Sequence, residues 1–253
     1  MYTLSTSNKA PNVLRKFRVK SSTEKSWDLK WKPVCSSTEI VLSNWIKEKP
    51  FGHNHRRAVL AARQNRGIGQ HGRKWHSPLG GVWISAAFPL ENINDSIGLF
   101  GLAVAVALCE RLERNFINAQ IKWPNDLVVG DKKLAGFLPR IVHRGSIARM
   151  ARIGLGLNVY NTVPVNGISL YQILGTKKFS TDYWSAETLL AFDQSVEILR
   201  KPESLLEKAE ERLLKNKFND SKSGISWEVE GLANNGGIRL NNGKERCIWT
   251  RWE

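Results

Sequence analysis

The 253-residue sequence predicts an α/β protein, an α+β sandwich in which a mixed β-sheet is covered by helices. Three observations carry that prediction. Short apolar, β-branched runs recur near 58–63, 82–88, 121–129, 134–142 and 152–159, separated by Gly, Pro, Asn and Asp. Apolar residues at helical spacing occupy other segments before, between and after them. The length suffices for one sizeable core plus a small appendage, and 42% hydrophobic residues without a long apolar run leaves no membrane-crossing helix.

The elements follow in order. Residues 1–26 are Ser/Thr-rich and basic, with Lys9, Arg15, Lys16, Arg18, Lys20 and Lys25 against Glu24. They lack the apolar stretch of a secretory signal. An organelle transit peptide has this composition, but a short flexible arm is the simpler reading, because Trp27 to Val34 already alternates like a strand. Ser36-Ser-Thr-Glu39 reads as a capping box: the Ser36 hydroxyl accepts the Glu39 N–H, and the Glu39 carboxylate bonds back. The helix it opens places Ile40, Val41, Trp45 and Ile46 on an apolar side. A second helix from about Ser96 to Asn115 carries Leu99, Ala103, Val106 and Leu112 at helical spacing. Leu189 to Lys215 holds one or two more, interrupted near Pro202. Beyond Ser226, Asn234-Asn-Gly-Gly237 and Asn241-Asn-Gly243 are turn clusters between strand-like runs.

Charge and cysteine usage narrow the partners. Thirty-eight Lys+Arg against 23 Asp+Glu gives a formal +15, which attracts polyanions. Nucleic acid, an acidic protein and ATP all fit that charge, as does a basic proteome background. The basic residues are spread along the chain without a basic helix or a basic–aromatic motif, so no specific nucleic acid is expected. Cys35, Cys109 and Cys247 lie far apart with no C-x-x-C spacing, against a disulfide framework or a zinc site. Cys109 falls on an apolar helical stripe. The expectation is a soluble cytoplasmic enzyme with no protein-held metal cluster.

Three segments carry the chemistry. Lys122 to Gly136 places Asn125, Asp126, Lys132 and Lys133 around a hairpin, with Gly130-Asp131 supplying the positive φ of a tight turn. By spacing alone the polar residues also fit a plain turn and a solvated tip. Gln64 to Ser85 is a Gly- and Arg-rich loop leading into a strand. Within it Gly67 to Gly72 satisfies G-x-G-x-x-G, but a dinucleotide site needs a helix to open after the glycines, and Pro78, Gly80 and Gly81 follow instead. The third segment is Ile153-Gly-Leu-Gly-Leu-Asn158.

In this order and spacing, and with Ser37-Thr38 upstream, these segments resemble the biotin protein ligases over roughly residues 34 to 200, about two thirds of the chain. Linked motifs are far more specific than any one alone. The resemblance implies a catalytic domain related to class II aminoacyl-tRNA synthetases and lipoate ligases, expected over 27–221. From Ser226 the sequence resembles the start of an SH3-like domain, expected over 222–253 and abbreviated at Glu253. The stretch before Trp27 is too short for the winged helix some members carry, so the resemblance points to the class without a DNA-binding domain.

The activity implied has two steps. Biotin's carboxylate attacks the α-phosphorus of MgATP, and a lysine of a biotin carboxyl carrier domain of acetyl-CoA carboxylase then attacks the mixed anhydride. Lys133, Asp126 and Asn125 match the catalytic group, with Lys133 bridging the biotin carboxylate and the α-phosphate and Asp126 holding Mg2+ or orienting a ligand. Ser37, Thr38, Glu39, Gln64, Gly67, Ile68, Gly69, Gln70, Lys133 and Gly136 match the biotin site. Arg73, Trp75, Asn125, Asp126, Lys133 and Asn158 match the ATP site, with Trp75 stacking on adenine. Carriers are typically acidic, which the +15 charge favours. A homodimer is compatible with the resemblance.

Departures stand beside the matches. The family loop reads Gly-Arg-Gly-Arg, but here Ile68 and Gln70 replace both arginines. Loss of one preorganised donor is worth about 100- to 1000-fold in rate, roughly 3–4 kcal/mol. Pro139-Arg140 stands where a hydrophobic residue and Glu are usual; the proline implies an edge or a bulge, and the arginine returns a positive charge. Two alternatives stay open: a lipoate- or octanoate-type acyl-protein ligase or transferase, and a non-catalytic descendant that binds biotin or a carrier.

Overall fold

A computed structural model describes residues 7–23, 26–49, 56–90, 97–145, 147–175, 180–220 and 223–250. Strand alternation organises it. The main sheet has seven strands in the order β1-β2-β5-β9-β8-β7-β6: β1 (Trp27–Cys35), β2 (Arg56–Gln64), β5 (Val82–Pro89), β9 (Ile147–Leu157), β8 (Lys132–Arg144), β7 (Asp126–Val129) and β6 (Gln120–Lys122). Only β1 and β2 run parallel among these neighbours, so the sheet is mixed as expected. Two-residue strands β3 (Gly67–Ile68) and β4 (Lys74–Trp75) form a separate ribbon.

Because successive side chains point to opposite faces, Ala58 and Leu60 of β2 join one core while Val59 joins another. The larger core lies against α1 (Ala10–Lys20), α3 (Phe100–Glu113), α5 (Thr181–Leu199) and α6 (Pro202–Glu211). The smaller packs Leu42 and Trp45 of α2 (Thr38–Glu48) on Val59, Ala87 and Met150. On β9, Ile153, Leu155 and Leu157 enter the large core, which leaves Arg152, Gly154 and Gly156 on the α2 face. That glycine-lined face is where the cavity forms.

Several expectations change here. Within the expected flexible arm, residues 1–6 and 24–25 lie outside the described residues, but Ala10–Lys20 is a helix with Pro11 in its first turn. Val13 and Phe17, one turn apart, are buried against the core, and Lys20 pairs with the buried Glu187. The expected Ser36 capping box does not form. Ser37 is the N-cap, its Oγ accepting the Glu39 N–H at 3.3 Å, and the Glu39 carboxylate turns instead to Arg152 at 2.7 Å. The expected start of the second helix at Ser96 lies outside the described residues; the α-helix runs from Phe100. α5 begins at Thr181, well before Leu189, and the break before Pro202 is observed. The run 121–129 is two strands, parted by a turn with a cis Trp123–Pro124 peptide.

The C-terminal sheet is a four-stranded antiparallel meander, β10 (Lys217–Asn219), β11 (Ser226–Leu232), β12 (Ile238–Asn241) and β13 (Arg246–Trp249), consistent with an SH3-like unit. It starts before residue 222, since Lys217 pairs with Glu228. Both Asn/Gly clusters are turns, with Gly236 and Gly243 at positive φ. Trp227, Val229 and Leu240 join the main core. The Trp123 indole donates to the Gly236 carbonyl at 2.9 Å and the Leu232 N–H to Glu210 at 2.7 Å. No helix among the described residues is long and apolar enough to cross a membrane.

Two predictions arise here. The short helix α4 (Leu170–Leu174) has a full capping box, Ser169 N–H to Gln172 Oε1 at 2.9 Å and Gln172 N–H to Ser169 Oγ at 3.4 Å. Ser169→Ala is expected to cost about 1 kcal/mol, seen by calorimetry as a fall in Tm of roughly 2–4 °C. The cysteines should differ in reactivity. Burial pushes the Cys109 thiol up to about 12 and the Cys35 thiol up to about 11 from 9.0, and raises Cys247 less. A raised thiol pKa means the fold favours the neutral form. Its stabilisation is therefore complete below the unfolded value and is lost as pH rises through the folded one. Alkylation near pH ~8.5 should label Cys247 first, Cys35 slowly and Cys109 only on unfolding; rapid native labelling of Cys109 would contradict its burial.

Candidate active site

A cavity of about 520 Å3 opens on the α2 face. The sheet supplies its floor: Gly136 and Leu138 from β8, Gly154 and Gly156 from β9, Ile84 and Ser85 from β5. The N-terminus of α2 brings Ser37, Thr38 and Glu39, and the β3–β4 ribbon covers it with Ile68, Gly69, Gln70, Arg73 and Trp75. The turn after β6 and the β7–β8 hairpin add Asn125, Asp126 and Lys133, and Asn158 closes the wall. Of the residues matched to the catalytic, biotin and ATP sites, Gly67 alone does not line the cavity, and Lys132 of the hairpin stays outside it as well. A Cβ there would stand 2.6 Å from both Ser77 Oγ and the Trp75 carbonyl, so Gly67 lets the ribbon close on itself.

One end is a buried hydroxyl–amide network. The Thr38 N–H and Oγ1 donate to Gln64 Oε1 at 2.7 and 3.1 Å, Gln64 Nε2 donates to Ser77 Oγ at 2.9 Å, and Thr38 Oγ1 meets Ser85 Oγ at 2.8 Å. Ser37, Thr38, Ser77 and Ser85 are all buried. Beside them Glu39 takes Arg152, and Arg140 stands 4.0 Å away. This end is polar and buried, able to read a small head group with both donors and acceptors.

At the other end Lys133 Nζ lies 2.6 Å from Asp126 Oδ1 and 4.7 Å from the centroid of the Trp75 ring. The hairpin forms as its turn residues predict, with Gly130 at φ +62° and Val129 paired to Lys132. A register shift after Leu127 makes the bulge that brings Lys133 opposite Val128. The lysine backbone is strapped: its N–H donates to the Asn166 carbonyl at 2.8 Å, and its carbonyl accepts the Ile168 N–H at 2.9 Å and Asn158 Nδ2 at 3.3 Å. Buried Asn161 donates to Asn158 Oδ1 at 3.0 Å. Asn158 thus orients Lys133 as well as lining the wall. The Asn125 carboxamide donates to the Phe137 carbonyl at 3.0 Å, tying the turn to β8.

The indole of Trp75 lies on a glycine floor. A Cβ at Gly156 would stand 2.5 Å from Trp75 Nε1, and one at Gly136 would stand 2.9 Å from Lys133 Cε and 3.0 Å from Trp75 Cη2. Any side chain at either position would displace the ring or the ammonium.

Sequence reasoning passed over Ser85, Ser77, Asn161 and Arg152. Ser85 had a signal, a polar residue within the apolar run Val82 to Phe88. Arg152 and Asn161 had none, since the role of each depends on a partner that only folding brings near.

Comparison with known proteins agrees with this geometry. Residues 33–158 match the model of the biotin/lipoate A/B protein ligase family. The chain is 35% identical over 130 residues to the bifunctional ligase/repressor BirA of Escherichia coli, covering 50% of this chain and 39% of that protein. It is 31% identical over 141 residues to the chloroplastic biotin–protein ligase 1 of Arabidopsis thaliana, covering 53% and 37%. The chain therefore spans about two fifths of the length of the curated relatives it matches. Among solved structures, the biotin protein ligase from Aquifex aeolicus in complex with biotin and ATP superposes with a TM-score of 0.66 at 25% identity, over 88% of this chain and 95% of that one. Through residues 33–158, and with the sheet and linked motifs that frame the cavity, the chain belongs to the biotin/lipoate A/B protein ligase family.

Proposed function

We propose that this protein is an ATP-dependent biotin protein ligase, which activates biotin to biotinyl-AMP and transfers it to a lysine of a biotin carboxyl carrier domain. The observation that carries this reading is the cavity's polarity at both ends. The Thr38–Gln64–Ser85 network suits a ureido ring, which both donates and accepts hydrogen bonds. An octanoyl chain or a lipoyl dithiolane there would bury those groups against carbon and forfeit their hydrogen-bonding potential.

In the first step a biotin carboxylate oxygen forms a bond to the α-phosphorus of ATP, and the bond to the pyrophosphate oxygen breaks. Negative charge gathers on the non-bridging oxygens, so fixed cations matter more than a nucleophile. Lys133, held by its backbone strap, supplies that cation, and Asp126 aims the ammonium. Mg2+ carried by ATP would supply shielding of the phosphate charge. Among the described residues no three His, Cys, Asp or Glu gather as a metal cluster, and one carboxylate with phosphate oxygens and water suits this ion; Asp126 would be that carboxylate. Trp75 offers a flat surface for adenine and Arg73 a phosphate donor. In the second step the neutral ε-amine of the acceptor lysine attacks the anhydride carbonyl. The carbonyl–oxygen bond breaks, AMP leaves, and the amine loses a proton to solvent.

The test is intact-mass analysis of an unbiotinylated carrier domain after incubation with protein, ATP and either biotin or lipoate. A biotin adduct on one lysine is the expected product. A lipoyl adduct without a biotinyl one would make the lipoate-type reading the correct one, and no adduct from either would favour a binding-only descendant.

A further inference from the structure

Resting on the ligase reading, the end of the cavity away from Lys133 needs an anchor that apolar packing does not provide. α2 rests on the sheet through Val41, Leu42, Trp45 and Ile46, and among the described residues its start, Ser37 to Ile40, adds nothing to that core. Ile40 is exposed. Yet this start carries Thr38, whose bonds to Gln64 and Ser85 make the head-group network. Helix ends fray unless something ties them down.

Arg152 supplies the tie. It stands on β9 directly opposite Arg140 of β8 and Ala87 of β5. Its Nη2 donates to Glu39 Oε1 at 2.7 Å and to Ser43 Oγ at 2.6 Å, and Ser43 Oγ donates onward to the Glu39 carbonyl at 2.8 Å. One arginine thus grips the first turn of α2 at two points four residues apart. The side chains of Arg152 and Glu39 are 17% and 20% exposed, against 58% for Arg140, which stands 4.0 Å from the same carboxylate. Arginines side by side repel, and residues 139–152 contain no Asp or Glu. Swinging Glu39 back to cap the helix would leave both arginines unbalanced, which holds its carboxylate at the cavity wall.

We infer that Arg152 is a positioning residue for biotin: by fixing Glu39 and Ser43 it keeps Thr38 against Gln64 and Ser85, and so sets affinity for the head group. Two observations favour it. Thr38 and Glu39 are adjacent and both line the cavity, whereas Arg152 is not among the residues that line it. The arginine therefore acts through its neighbours. It also lies about 13 Å along β9 from Gly156, the glycine under the Trp75 ring, which keeps it away from the reacting phosphate. The second observation is an unspent acceptor. Glu39 Oε2 is buried and has no hydrogen-bond partner among the described residues. A buried oxygen of this kind is costly unless something donates to it. The N–H of a ureido ring is such a donor, and an aliphatic chain or a dithiolane is not.

The test measures biotin affinity by isothermal titration, and biotin-dependent pyrophosphate exchange, for the full chain and for Arg152→Met, Arg152→Lys and the double variant Glu39→Gln, Arg152→Met, with thermal melts throughout. Arg152→Met should weaken biotin binding about tenfold or more, while the exchange rate at saturating biotin and the KM for ATP change less than about threefold. The double variant should bind biotin more tightly than Arg152→Met, because no carboxylate is left buried without its cation and glutamine keeps an acceptor oxygen. Should Arg152→Met fail to fold, Arg152→Lys decides, since an ammonium lacks the fork that meets both partners; a loss of about threefold in affinity is expected, and none overturns the inference. Unchanged biotin affinity in folded Arg152→Met overturns it, as does an equal loss of ATP affinity, which would mean a general loosening, or a double variant weaker than Arg152→Met. Biotin binding that depends on Arg152 in a protein that shows no exchange would refute the ligase reading and leave the positioning role standing. No biotin binding by the wild type would refute both.

Discussion

Replacing Lys133 by alanine is expected to slow biotinyl-adenylate formation by about 100- to 1000-fold, the cost of removing one preorganised donor from a developing anion. The ammonium is fixed by its 2.6 Å contact with Asp126, and its backbone by Asn166, Ile168 and Asn158. Among the described residues, the ion pair of Asp126 is with Lys133, whereas Arg73 sits on the ribbon and Arg140 belongs to the far end beside Glu39. The substitution should spare biotin affinity more than rate, because the Thr38–Gln64–Ser85 network lies apart from the lysine. Single-turnover kinetics with labelled ATP measures this directly. A loss smaller than tenfold would mean that the phosphate charge is met elsewhere.

Gln70→Arg should act in the opposite direction. Gln70 lies in the turn Gln70–Gly72 and lines the cavity, with its carbonyl accepting the Arg73 N–H at 3.0 Å. An arginine there restores the second cation of the family loop at a position already facing the ligand space. A gain of about 100-fold in adenylation is expected if no existing residue does that work. Slower escape of free biotinyl-AMP into solution should accompany it. An unchanged rate would show that Arg73, which also lines the cavity, already compensates.

How much was readable beforehand depends on how local the signal is. The β7–β8 hairpin was legible because Gly130-Asp131 fixes the turn within four residues, and Pro139 announced an edge through its missing N–H. The matched site residues also make up about half of those that line the cavity, since each short segment brings its own residues to one sheet face. What failed were features set by distant partners. The helix Ala10–Lys20 hides in a basic composition, with Ala10, Val13, Leu14 and Phe17 facing inward, and it is held by Asp182 and Glu187 of α5. Glu39 looked like a capping residue, and only folding reveals Arg152, 113 positions away, as its partner. Gly67 belongs to the loop motif, yet it faces Ser77 and the Trp75 carbonyl and leaves the cavity to its neighbours.

Glycine placement leaves no room for a side chain at two positions of the site. Gly136 and Gly156 leave room for the Trp75 indole beside the Lys133 ammonium, at 4.7 Å from the ring centroid, which arranges a cation and a flat surface on one floor. Such a pairing suits a nucleotide whose base stacks while its phosphate meets charge. The Thr38–Gln64–Ser85 network lines the other end. Both ends line one cavity of about 520 Å3.

The most direct measurement is biotin-dependent exchange of labelled pyrophosphate into ATP by the purified chain, with lipoate and no acid as parallel conditions. Exchange with biotin alone is the predicted result, because the reverse of adenylation needs only the cavity described here and no carrier. Absence of exchange with biotin in correctly folded protein would contradict the account, and exchange with lipoate instead would transfer the site to the other branch of the family.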